Sequence, residues 1–537
     1  MTPNARVSIR RGLLQGTGAL LIATLSHGVA HAQSCEALAG TTISAARIGL
    51  ASGGATITAS HLAQSPKLHA EYCEVLGVIA PQDPKAHPIL FQVNLPKIWN
   101  HKTLQYGGGG MNGRLVSAVS PLPNASPGPT PLEKGYATFG TDSGHPETAP
   151  PMVESLFLNP EERDNFAFAA YKKLHDVGTA IAADYYGARP GHSYFVGISE
   201  GGREALVVAQ RFGADFDGVI ATVPAIAWTG INLSTYNFWV LQQNGGWMGP
   251  EKVKLVEQAT LDSCDGLDGA VDGLIADPQA CAAKLDLHKV RCPGGKDTGD
   301  QCLSDAQIAL VYAIHKSIPY AFAASQGQSS YPGFGIGGED TSGGLVPNVI
   351  DPRQNLDPMS RFGVANARLV LTGNPALAGP LNQAQYASRL RYYSLLMDAV
   401  DPDLGAFRAH GGKLILREHG ADHVISPYGA ARYAASLQKK YGPATREFVR
   451  FYFAPGLDHG GNGKRSDGSA IPSRIDMLAA LEQWVEDGKA PGPQIVGSYA
   501  SDAVTPDATL PLCEFPTYPY FKGGDVKSAV SYVCKAP

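Results

Sequence analysis

A G-x-S-x-G turn between two apolar runs constrains this chain more than any other feature of its sequence. Residues 193–198 (SYFVGI) predict a strand, and residues 200–213 (EGGREALVVAQRFG) have a helical pattern that ends at Gly213. A second apolar run at 216–225 predicts the next strand. Because strands that alternate with helices form parallel units, the sequence predicts an α/β fold with a mainly parallel sheet.

The same alternation continues on both sides of this turn and stops in the middle of the chain. The other predicted strands cover residues 88–96, 102–106, 135–145, 411–423 and 447–455. The other predicted helices cover approximately residues 164–186, 427–440 and 476–487. Residues 226–397 show few clean strand patterns, so we predict that they form a domain inserted into the sheet-forming core.

The first 32 residues have the pattern of an export signal. A basic start (MTPNARVSIRR) precedes an apolar run (GLLQGTGALLIATL) and a small-x-small cleavage site at 30–32. That apolar run is too short to stay in a bilayer, and no later segment reaches the length of a membrane span, so we expect a periplasmic or secreted mature chain without a membrane anchor. The net charge of −5 with 17% charged residues indicates neither a nucleic-acid surface nor an acidic tail.

The cysteines support the same compartment. Eight cysteines follow the predicted cleavage site, and none of them forms a C-x-x-C pair. In an exported chain this pattern favours disulfides over metal thiolates. The connectivity stays open at this point, although couples that are close in sequence make local bridges the simplest choice.

Ser199 in the G-x-S-x-G turn is a candidate nucleophile. A sharp strand-to-helix turn with flanking glycines lifts the hydroxyl clear of the backbone, and the alternative is a turn serine without a catalytic role. In a hydrolase sheet the acid and the base follow the nucleophile along the chain, at the carboxyl ends of strands. Asp422 and His459 meet that condition and are predicted as acid and base, with Glu418 as the competing acid.

An oxyanion hole for this serine needs two preorganised N–H donors. The first is predicted at the backbone of Glu200, the residue after the nucleophile. The second is expected from the glycine-rich residues 106–113 (YGGGGMNG), directly after a predicted strand, and a flexible loop is the alternative for this stretch. Together these features predict ester hydrolysis through an acyl-enzyme on Ser199.

Seven stretches of the chain together resemble the tannase and feruloyl esterase family, which includes a bacterial hydrolase of mono(2-hydroxyethyl) terephthalate. They are YGGGGMNG, YATFGTDSGH, SYFVGISEGGREAL, FDGVIATVPA, CDGLDGAVDGLIADPQAC, FRAHGGKLILREHGAD and FAPGLDHGG. The resemblance implies an α/β-hydrolase core at 33–225 and 398–537, with a large lid domain at 226–397. It also implies a secreted esterase of aromatic carboxylic acids (feruloyl, caffeoyl or galloyl type). The implied triad is Ser199, Asp422 and His459, and the implied oxyanion donors are Gly108 and Glu200.

The resemblance also implies four disulfides, whereas the cysteines of a fifth disulfide of the family are absent from this chain. The implied pairs are Cys35–Cys73, Cys264–Cys281, Cys292–Cys302 and Cys513–Cys534. In the family a further disulfide joins the residue before the serine to the residue after the histidine, and here these residues are Ile198 and Gly460. We therefore expect these two positions to lie close together, and packing alone to hold the His459 loop.

An acidic loop in the predicted lid is a candidate calcium site, as the resemblance also implies. Asp265, Asp268 and Asp272 recur at spacings of three and four. Carboxylates this close repel one another unless a hard cation neutralises them. The backbone carbonyls of Ala270 and Leu274 would complete the shell of a structural Ca²⁺, and a solvated acidic loop is the alternative.

The lid decides the substrate, and its sequence leaves several choices open. Aromatic residues that could stack on an aryl acid, or form lid core instead, are Trp228, Tyr236, Phe238, Trp239 and Trp247. Arginines that could bind a substrate carboxylate are Arg353, Arg361 and Arg368. The expected partner is a small aromatic ester. The alternatives are a hydrolase of terephthalate monoesters, a lactonase or peptidase, and a calcium-stabilised binding protein with a dead site.

Overall fold

The computed structural model describes residues 34–65, 67–146, 157–341, 358–500 and 503–537. The predicted signal peptide at 1–32 lies outside these residues. Within them, no helix combines the length and the apolar character that crossing a bilayer requires.

A twelve-stranded mixed sheet forms the centre of the described chain. The strands in chain order are β1 (Thr42–Ile43), β2 (Ala55–Gln64), β3 (Glu71–Ile79), β4 (Ile89–Pro96), β5 (Lys102–Tyr106), β6 (Ala137–Thr141), β7 (His192–Ile198), β8 (Gly218–Thr222), β9 (Ile318–Pro319), β10 (Ser330–Tyr331), β11 (Lys413–His419), β12 (Val449–Ala454), β13 (Gln494–Ser498), β14 (Ala508–Glu514), β15 (Tyr518–Phe521) and β16 (Tyr532–Lys535). The large sheet has the order β1-β2-β3-β4-β6-β5-β7-β8-β11-β12-β14-β13, while β9 pairs with β10 and β15 with β16.

The middle of the large sheet is parallel and both of its flanks are antiparallel. Strands β6, β5, β7, β8, β11 and β12 run parallel to their neighbours in that order. Strands β1 to β4 on one side, and β14 and β13 on the other, are antiparallel. Since β7, β11 and β12 end at the same edge of the sheet, the residues that follow them are brought together there.

Helices cover both faces of the parallel strands and form most of the insertion. The α-helices are α1 (Pro160–Asp164), α2 (Ala170–Tyr186), α3 (Glu200–Arg211), α4 (Trp228–Leu241), α5 (Pro250–Cys264), α6 (Pro278–Ala282), α7 (Asp305–His315), α8 (Pro358–Ala365), α9 (Ala387–Met397), α10 (Gly405–His410), α11 (Tyr428–Tyr441) and α12 (Met477–Asp487). The π-helical segments are Asn165–Ala169, Gln242–Gly246 and Asn366–Thr372. Short 3₁₀ turns are Glu36–Leu38, Ala45–Arg47, Gly213–Asp215, Asp265–Asp268, Leu287–Val290, Pro293–Gly295, Ser325–Gly327, Gln383–Tyr386, Gly442–Glu447 and Ala529–Ser531.

The chain leaves the large sheet between β8 and β11. The described residues of this stretch form α4 to α10 and the small β9–β10 pair, and they add no strand to the large sheet. The end of the stretch packs back on the core, where Nη1 of Arg203 on α3 donates to the carbonyl of Met397 at 3.3 Å. The stretch between β8 and β11 therefore interrupts the large sheet, and its assignment as a lid domain at 226–397 stays a prediction.

Four disulfides cross-link segments of the described chain. They join the same four pairs that the resemblance implies, with Cα separations of 5.5, 5.1, 4.8 and 5.6 Å in chain order. Cys35–Cys73 ties the first described residues to β3, and Cys513–Cys534 ties β14 to β16. The other two lie within the insertion, where Cys264–Cys281 closes the loop that carries the acidic residues.

Candidate active site

Ser199 lies at a strained turn between β7 and α3. Its φ of 62° falls in the left-handed region that residues other than glycine rarely adopt. A Cβ on Gly197 would lie 1.9 Å from the carbonyl oxygen of Gly201, and a Cβ on Gly201 would lie 2.5 Å from the carbonyl oxygen of Gly108. Only glycine fits these two positions, which explains the G-x-S-x-G pattern around the serine.

A chain of hydrogen bonds joins Ser199, His459 and Asp422 at the carboxyl edge of the sheet. Oγ of Ser199 lies 2.9 Å from Nε2 of His459, and Nδ1 of His459 lies 2.6 Å from Oδ2 of Asp422. The carboxylate is fully buried, and its Oδ1 accepts the N–H groups of Val424 and Ile425 at 2.8 Å each. Because an ionised carboxylate only accepts, this network assigns the proton to Nδ1 of His459 and leaves Nε2 as acceptor for the serine hydroxyl.

The pKa of His459 is raised above its ordinary value of 6.5. Burial lowers this pKa, but the charge of Asp422 and its hydrogen bond, with a further contribution from the charge of Asp458, raise it by more. The carboxylate therefore makes the imidazole a stronger base toward the serine hydroxyl.

Glu418, the competing acid, does not serve His459. It lies on β11, fully buried, and neither of its carboxyl oxygens has a hydrogen-bond partner. Burial, and then the negative charge of Asp422, raise the pKa of Glu418 well above its ordinary value. Burial therefore favours the neutral form of Glu418, and no hydrogen bond joins its side chain to His459.

The loop that carries His459 is held by hydrogen bonds as well as by packing. Nδ1 of His419, at the end of β11, lies 2.8 Å from the carbonyl oxygen of Asp458. Nδ2 of Asn124 donates to the carbonyl oxygen of Gly460 at 3.2 Å. The expectation that packing alone holds this loop is therefore wrong, because polar groups from two other segments reach it.

The two residues expected to supply the oxyanion hole differ in their surroundings. Glu200 is the first residue of α3, so its N–H lies at the positive end of the helix dipole. The N–H of Gly108 instead donates to Oε2 of Glu204 on α3 at 3.0 Å. In the glycine segment, which we define as residues 107–112, Gly110 and Met111 border the cavity at the nucleophile. The oxyanion role of both residues stays a prediction, and Gly108 could serve in it only by sharing its N–H with Glu204.

A cavity of about 290 Å³ opens beside Ser199 and His459. Most of its wall is apolar, and the large apolar side chains that border it are Met111, Trp228, Ile231, Phe362 and Ile425. Aromatic and branched walls of this kind suit a flat aryl group placed next to the serine.

Two hydrogen-bonded asparagines form a polar part of the cavity wall. Nδ2 of Asn232 donates to the carbonyl of Trp228 at 2.8 Å, and Nδ2 of Asn366 donates to Oδ1 of Asn232 at 2.8 Å. Because a backbone carbonyl only accepts, the network fixes the orientation of both amides. Oδ1 of Asn366 is left without a hydrogen-bond partner, so a residue that borders the cavity carries an unsatisfied acceptor.

The other aromatic residues considered for substrate binding lie away from this cavity. Trp228 borders it, whereas Tyr236 and Trp239 pack against each other with ring centroids 5.6 Å apart. Phe238 packs against Phe334 with centroids 5.7 Å apart, and the carbonyl of Trp247 accepts a hydrogen bond from Gln307. Sequence composition alone does not separate the one wall residue from the others, since all five are aromatic.

Of the three arginines considered for a substrate carboxylate, Arg368 is the one whose side chain is described, and it does not line the cavity. The guanidinium of Arg368 lies 4.9 Å from the ring centroid of Trp239, and its Nε donates to the carbonyl of Leu377 at 2.8 Å. Arg353 lies outside the described residues, and the side chain of Arg361 is not among those described.

The acidic loop predicted to bind calcium is partly satisfied by the protein itself. Oδ1 of Asp265 accepts the N–H of Gly273 at 3.0 Å, and the carboxylate of Asp268 accepts two other backbone N–H groups. Asp272 contacts Nη1 of Arg465. In the described ranges, no group of three or more His, Cys, Asp or Glu side chains is arranged to hold a metal ion.

The donor chemistry of this loop nevertheless fits a hard cation. The loop holds three nearly buried carboxylates, and the guanidinium of Arg465 contacts one of them, Asp272, so the loop carries excess negative charge when its carboxylates are ionised. Burial raises the pKa of Asp268 to about 7 and also raises that of Asp265. Carboxylate and backbone carbonyl oxygens are the ligands that Ca²⁺ prefers. Calcium binding stays a prediction.

The architecture around the serine defines the class of protein. A parallel central sheet, a serine at a strand-to-helix turn, and an acid and a base after later strands are features of an α/β-hydrolase. Feruloyl esterase B from Aspergillus oryzae has the same fold, with a TM-score of 0.77 and 21% identity over 94% of this chain and 100% of that chain. The predicted fold class is confirmed.

Comparisons with known sequences identify the family. The family model described as Tannase and feruloyl esterase matches residues 73–535. A protein from Agrobacterium fabrum, named an uncharacterised esterase, is 34% identical over 93% of this chain and 92% of its own length. The mono(2-hydroxyethyl) terephthalate hydrolase of Piscinibacter sakaiensis is 29% identical over 87% of this chain and 85% of its own length. The chain therefore belongs to the tannase and feruloyl esterase family and is a carboxylic ester hydrolase that acts on a small-molecule ester.

Proposed function

We propose that this esterase is exported and hydrolyses esters of aromatic carboxylic acids through an acyl-enzyme on Ser199. The observation that carries the proposal is the hydrogen-bonded chain from Ser199 through His459 to Asp422, beside an apolar cavity. The relative named a probable feruloyl esterase, 29% identical over 82% of this chain, supports an aromatic acid. Four disulfides support an oxidising compartment.

The proposed reaction uses each group in a distinct role. Nε2 of His459 takes the hydroxyl proton as Oγ of Ser199 attacks the ester carbonyl, and Asp422 holds the imidazole tautomer and stabilises its charged form. The N–H of Glu200 and a second donor from the glycine segment bind the oxyanion. His459 then protonates the departing alcohol, which leaves the acyl group on the serine. Water, deprotonated by the same imidazole, releases the acid and restores the serine.

The chemistry of the cavity favours a hydroxylated aryl acid over a carboxylated one. Among the described residues that line it there is no lysine or arginine, and Oδ1 of Asn366, a residue at its border, is a buried acceptor without a partner. A phenolic hydroxyl donates to such an acceptor, whereas a carboxylate does not. We therefore place feruloyl, caffeoyl and galloyl esters before terephthalate monoesters, which are the second candidate because of the terephthalate-ester relative.

A panel of esters tests the proposal directly. We expect the highest kcat/KM for methyl ferulate, methyl caffeate or methyl gallate, a lower value for a terephthalate monoester, and the lowest for aliphatic esters and lactones. The Ser199→Ala variant is the control, and we expect it to fold and to hydrolyse none of them. A preference for the terephthalate monoester would replace the first candidate by the second. Failure of the folded wild-type protein to hydrolyse any ester would leave a binding protein with a dead site.

Export is proposed from the first 32 residues of the chain. The basic start, apolar run and small-x-small site are those of a cleaved signal. We expect the N-terminal sequence of the exported protein to begin near Gln33, and a mature protein that still begins at Met1 would contradict this.

We also propose that the acidic loop binds a structural Ca²⁺. The carboxylates of Asp265, Asp268 and Asp272 and the carbonyls of Ala270 and Leu274 would hold it. The bound cation would offset the excess negative charge of this buried loop and so stabilise the insertion. It takes no part in the proposed reaction.

A further inference from the structure

Glu204 is a buried carboxyl group next to the nucleophile that no step of the proposed reaction uses. It lies on α3, one turn beyond Glu200, and is 1% exposed. Its Oε2 accepts the N–H of Gly108 at 3.0 Å, and its Oε1 accepts a hydrogen bond from Nδ2 of Asn112. The two carboxyl oxygens thus hold the glycine segment by hydrogen bonds near both of its ends.

The glycine segment and the start of α3 also touch backbone to backbone. A Cβ on Gly107 would lie 2.8 Å from Cα of Gly201, and a Cβ on Gly201 would lie 2.5 Å from the carbonyl oxygen of Gly108. Within the segment, the N–H of Asn112 donates to the carbonyl of Gly109 at 2.9 Å, which closes a turn. The position of this turn relative to the serine therefore depends on how firmly the segment is held on α3.

The charges around Glu204 leave the glycine segment as its main partner. The guanidinium of Arg203 is engaged elsewhere, because its Nε donates to Glu200 at 2.7 Å and its other nitrogens donate to backbone carbonyls. Burial and the charge of Glu200 raise the pKa of Glu204 to about 7, against the lowering effects of Asn112, Gly108 and Arg203. The hydroxyl of Tyr171 on α2 is the other titratable group that interacts with it.

We propose that Glu204 is a positioning residue for hydrolysis, which holds the glycine segment where its amides can donate to the oxyanion. The proposal rests on the proposed function of Ser199. Such a residue acts on the transition state rather than on the bound ester, because the oxyanion forms only during the reaction. We therefore expect that removing Glu204 lowers kcat and weakens the binding of a tetrahedral adduct, while KM changes little.

Two substitutions at this position separate charge from shape. Glu204→Ala removes both contacts to the glycine segment, and we expect kcat to fall about 10²- to 10³-fold, the range for losing one oxyanion donor. Glu204→Gln keeps one acceptor for Gly108, and its amide can donate to Oδ1 of Asn112, which has no partner in the structure. We expect this variant to stay within about tenfold of wild-type kcat.

Phenylboronic acid provides a readout that a merely structural role would not move. It forms a tetrahedral adduct with the serine and so occupies the oxyanion hole. We expect Glu204→Ala to weaken its binding by about the same factor as kcat, while KM changes less than about threefold. The matched control is Glu133→Ala, which removes a carboxylate that accepts the backbone N–H groups of Leu68 and Thr130 away from the serine. Boronate affinity is expected to stay at the wild-type value in this control.

The pH profile of kcat gives a second readout. Burial raises the pKa of Glu204 to about 7, and against the lowering effect of burial the charge of Asp422 raises the pKa of His459 above 6.5. Protonating Glu204 turns one of its two acceptor oxygens into a donor. Glu204→Gln removes the second ionisation, so the acid limb of its profile should reduce to a single ionisation. An identical two-step limb in both proteins would contradict this assignment.

The outcomes separate this inference from the proposed function. If the wild-type protein hydrolyses no ester, the proposed function is wrong. Wild-type turnover with unchanged boronate affinity in folded Glu204→Ala would overturn the positioning role alone. If Glu204→Ala does not fold, Asn112→Ala carries the test, because it removes one of the two contacts. For that variant we expect about a tenfold lower kcat at unchanged KM, and wild-type kcat would overturn the inference.

Discussion

Replacing Asp422 by asparagine should leave the protein folded and nearly abolish turnover. In the wild-type protein, Oδ1 accepts the N–H groups of Val424 and Ile425 at 2.8 Å each. In Asp422→Asn the amide oxygen must keep that place, because an NH₂ group there would face two donors. The amide nitrogen then faces Nδ1 of His459, which changes from donor to acceptor. The imidazole proton moves to Nε2, where it blocks acceptance of the proton from Ser199.

The expected magnitude follows from this change of tautomer. The same substitution in a Ser-His-Asp triad lowers kcat by about 10⁴-fold, which corresponds to about 5 kcal/mol of activation free energy. Asp422 is fully buried and does not border the cavity, so KM should change little. The shape of the side chain is conserved, and the melting temperature should therefore stay close to that of the wild-type protein.

Glu418→Gln is the matched control for this experiment. It replaces a buried carboxyl group on β11, whose neutral form burial favours and whose oxygens have no hydrogen-bond partner, by an amide of similar shape. We expect kcat within about threefold of wild type for this variant. Steady-state kinetics with the best ester of the panel, normalised to folded protein, provide the measurement. Near wild-type turnover by Asp422→Asn together with an inactive Glu418→Gln would refute the assignment of the acid.

Three further predictions concern the base, the missing disulfide and the acidic loop. The kcat/KM should rise with pH through a pKa above 6.5, because neutral His459 is the base and Asp422 raises its pKa; a profile flat between about pH 5 and pH 8 would count against this. The pair Ile198→Cys and Gly460→Cys should form a disulfide and stay active. The backbone of Gly460 lies outside the left-handed region, so it can accept a cysteine. The nearest atom to an added Cβ is the side-chain amide nitrogen of Asn462, at 2.8 Å, which can move. Two free thiols after oxidation would contradict this prediction. Excess chelator should lower the melting temperature, while kcat per folded molecule should change little. Stability of the chelated protein should then fall as pH rises from about 4 to about 7, because burial raises the pKa of folded Asp268 from 3.8 to about 7. An unchanged melting curve with no metal by elemental analysis would favour a solvated acidic loop.

The parallel centre of the sheet could be predicted because its strands are largely buried on both faces and several of them carry apolar runs. Strand β8 is buried at every position, and β12 is as well. Strand β2 was missed because many of its residues are polar or exposed, so its pairing with β3 rather than its own sequence defines it. Strand β14 was missed because Pro511 lies within it, and proline normally argues against a strand.

The candidate site divides in the same way. The order and strand-end positions of Ser199, Asp422 and His459 are properties of the chain, so sequence patterns could indicate them. The contact between Gly108 and Glu204 depends on how closely the glycine segment approaches α3, and no local pattern encodes that distance. The cavity wall was also beyond sequence reasoning. The acceptor of Asn366 is identified only by its hydrogen bond to Asn232, a residue far away in sequence.

Trapping the acyl-enzyme tests the central claim of this account most directly. The wild-type protein is mixed with a chromogenic aryl ester, quenched in acid within the first turnovers, and analysed by intact mass and peptide mapping. We predict a burst of one chromophore per enzyme and an acyl adduct on the peptide that contains Ser199, absent from Ser199→Ala. Continued turnover by Ser199→Ala, or an adduct confined to a peptide without Ser199, would contradict the claim.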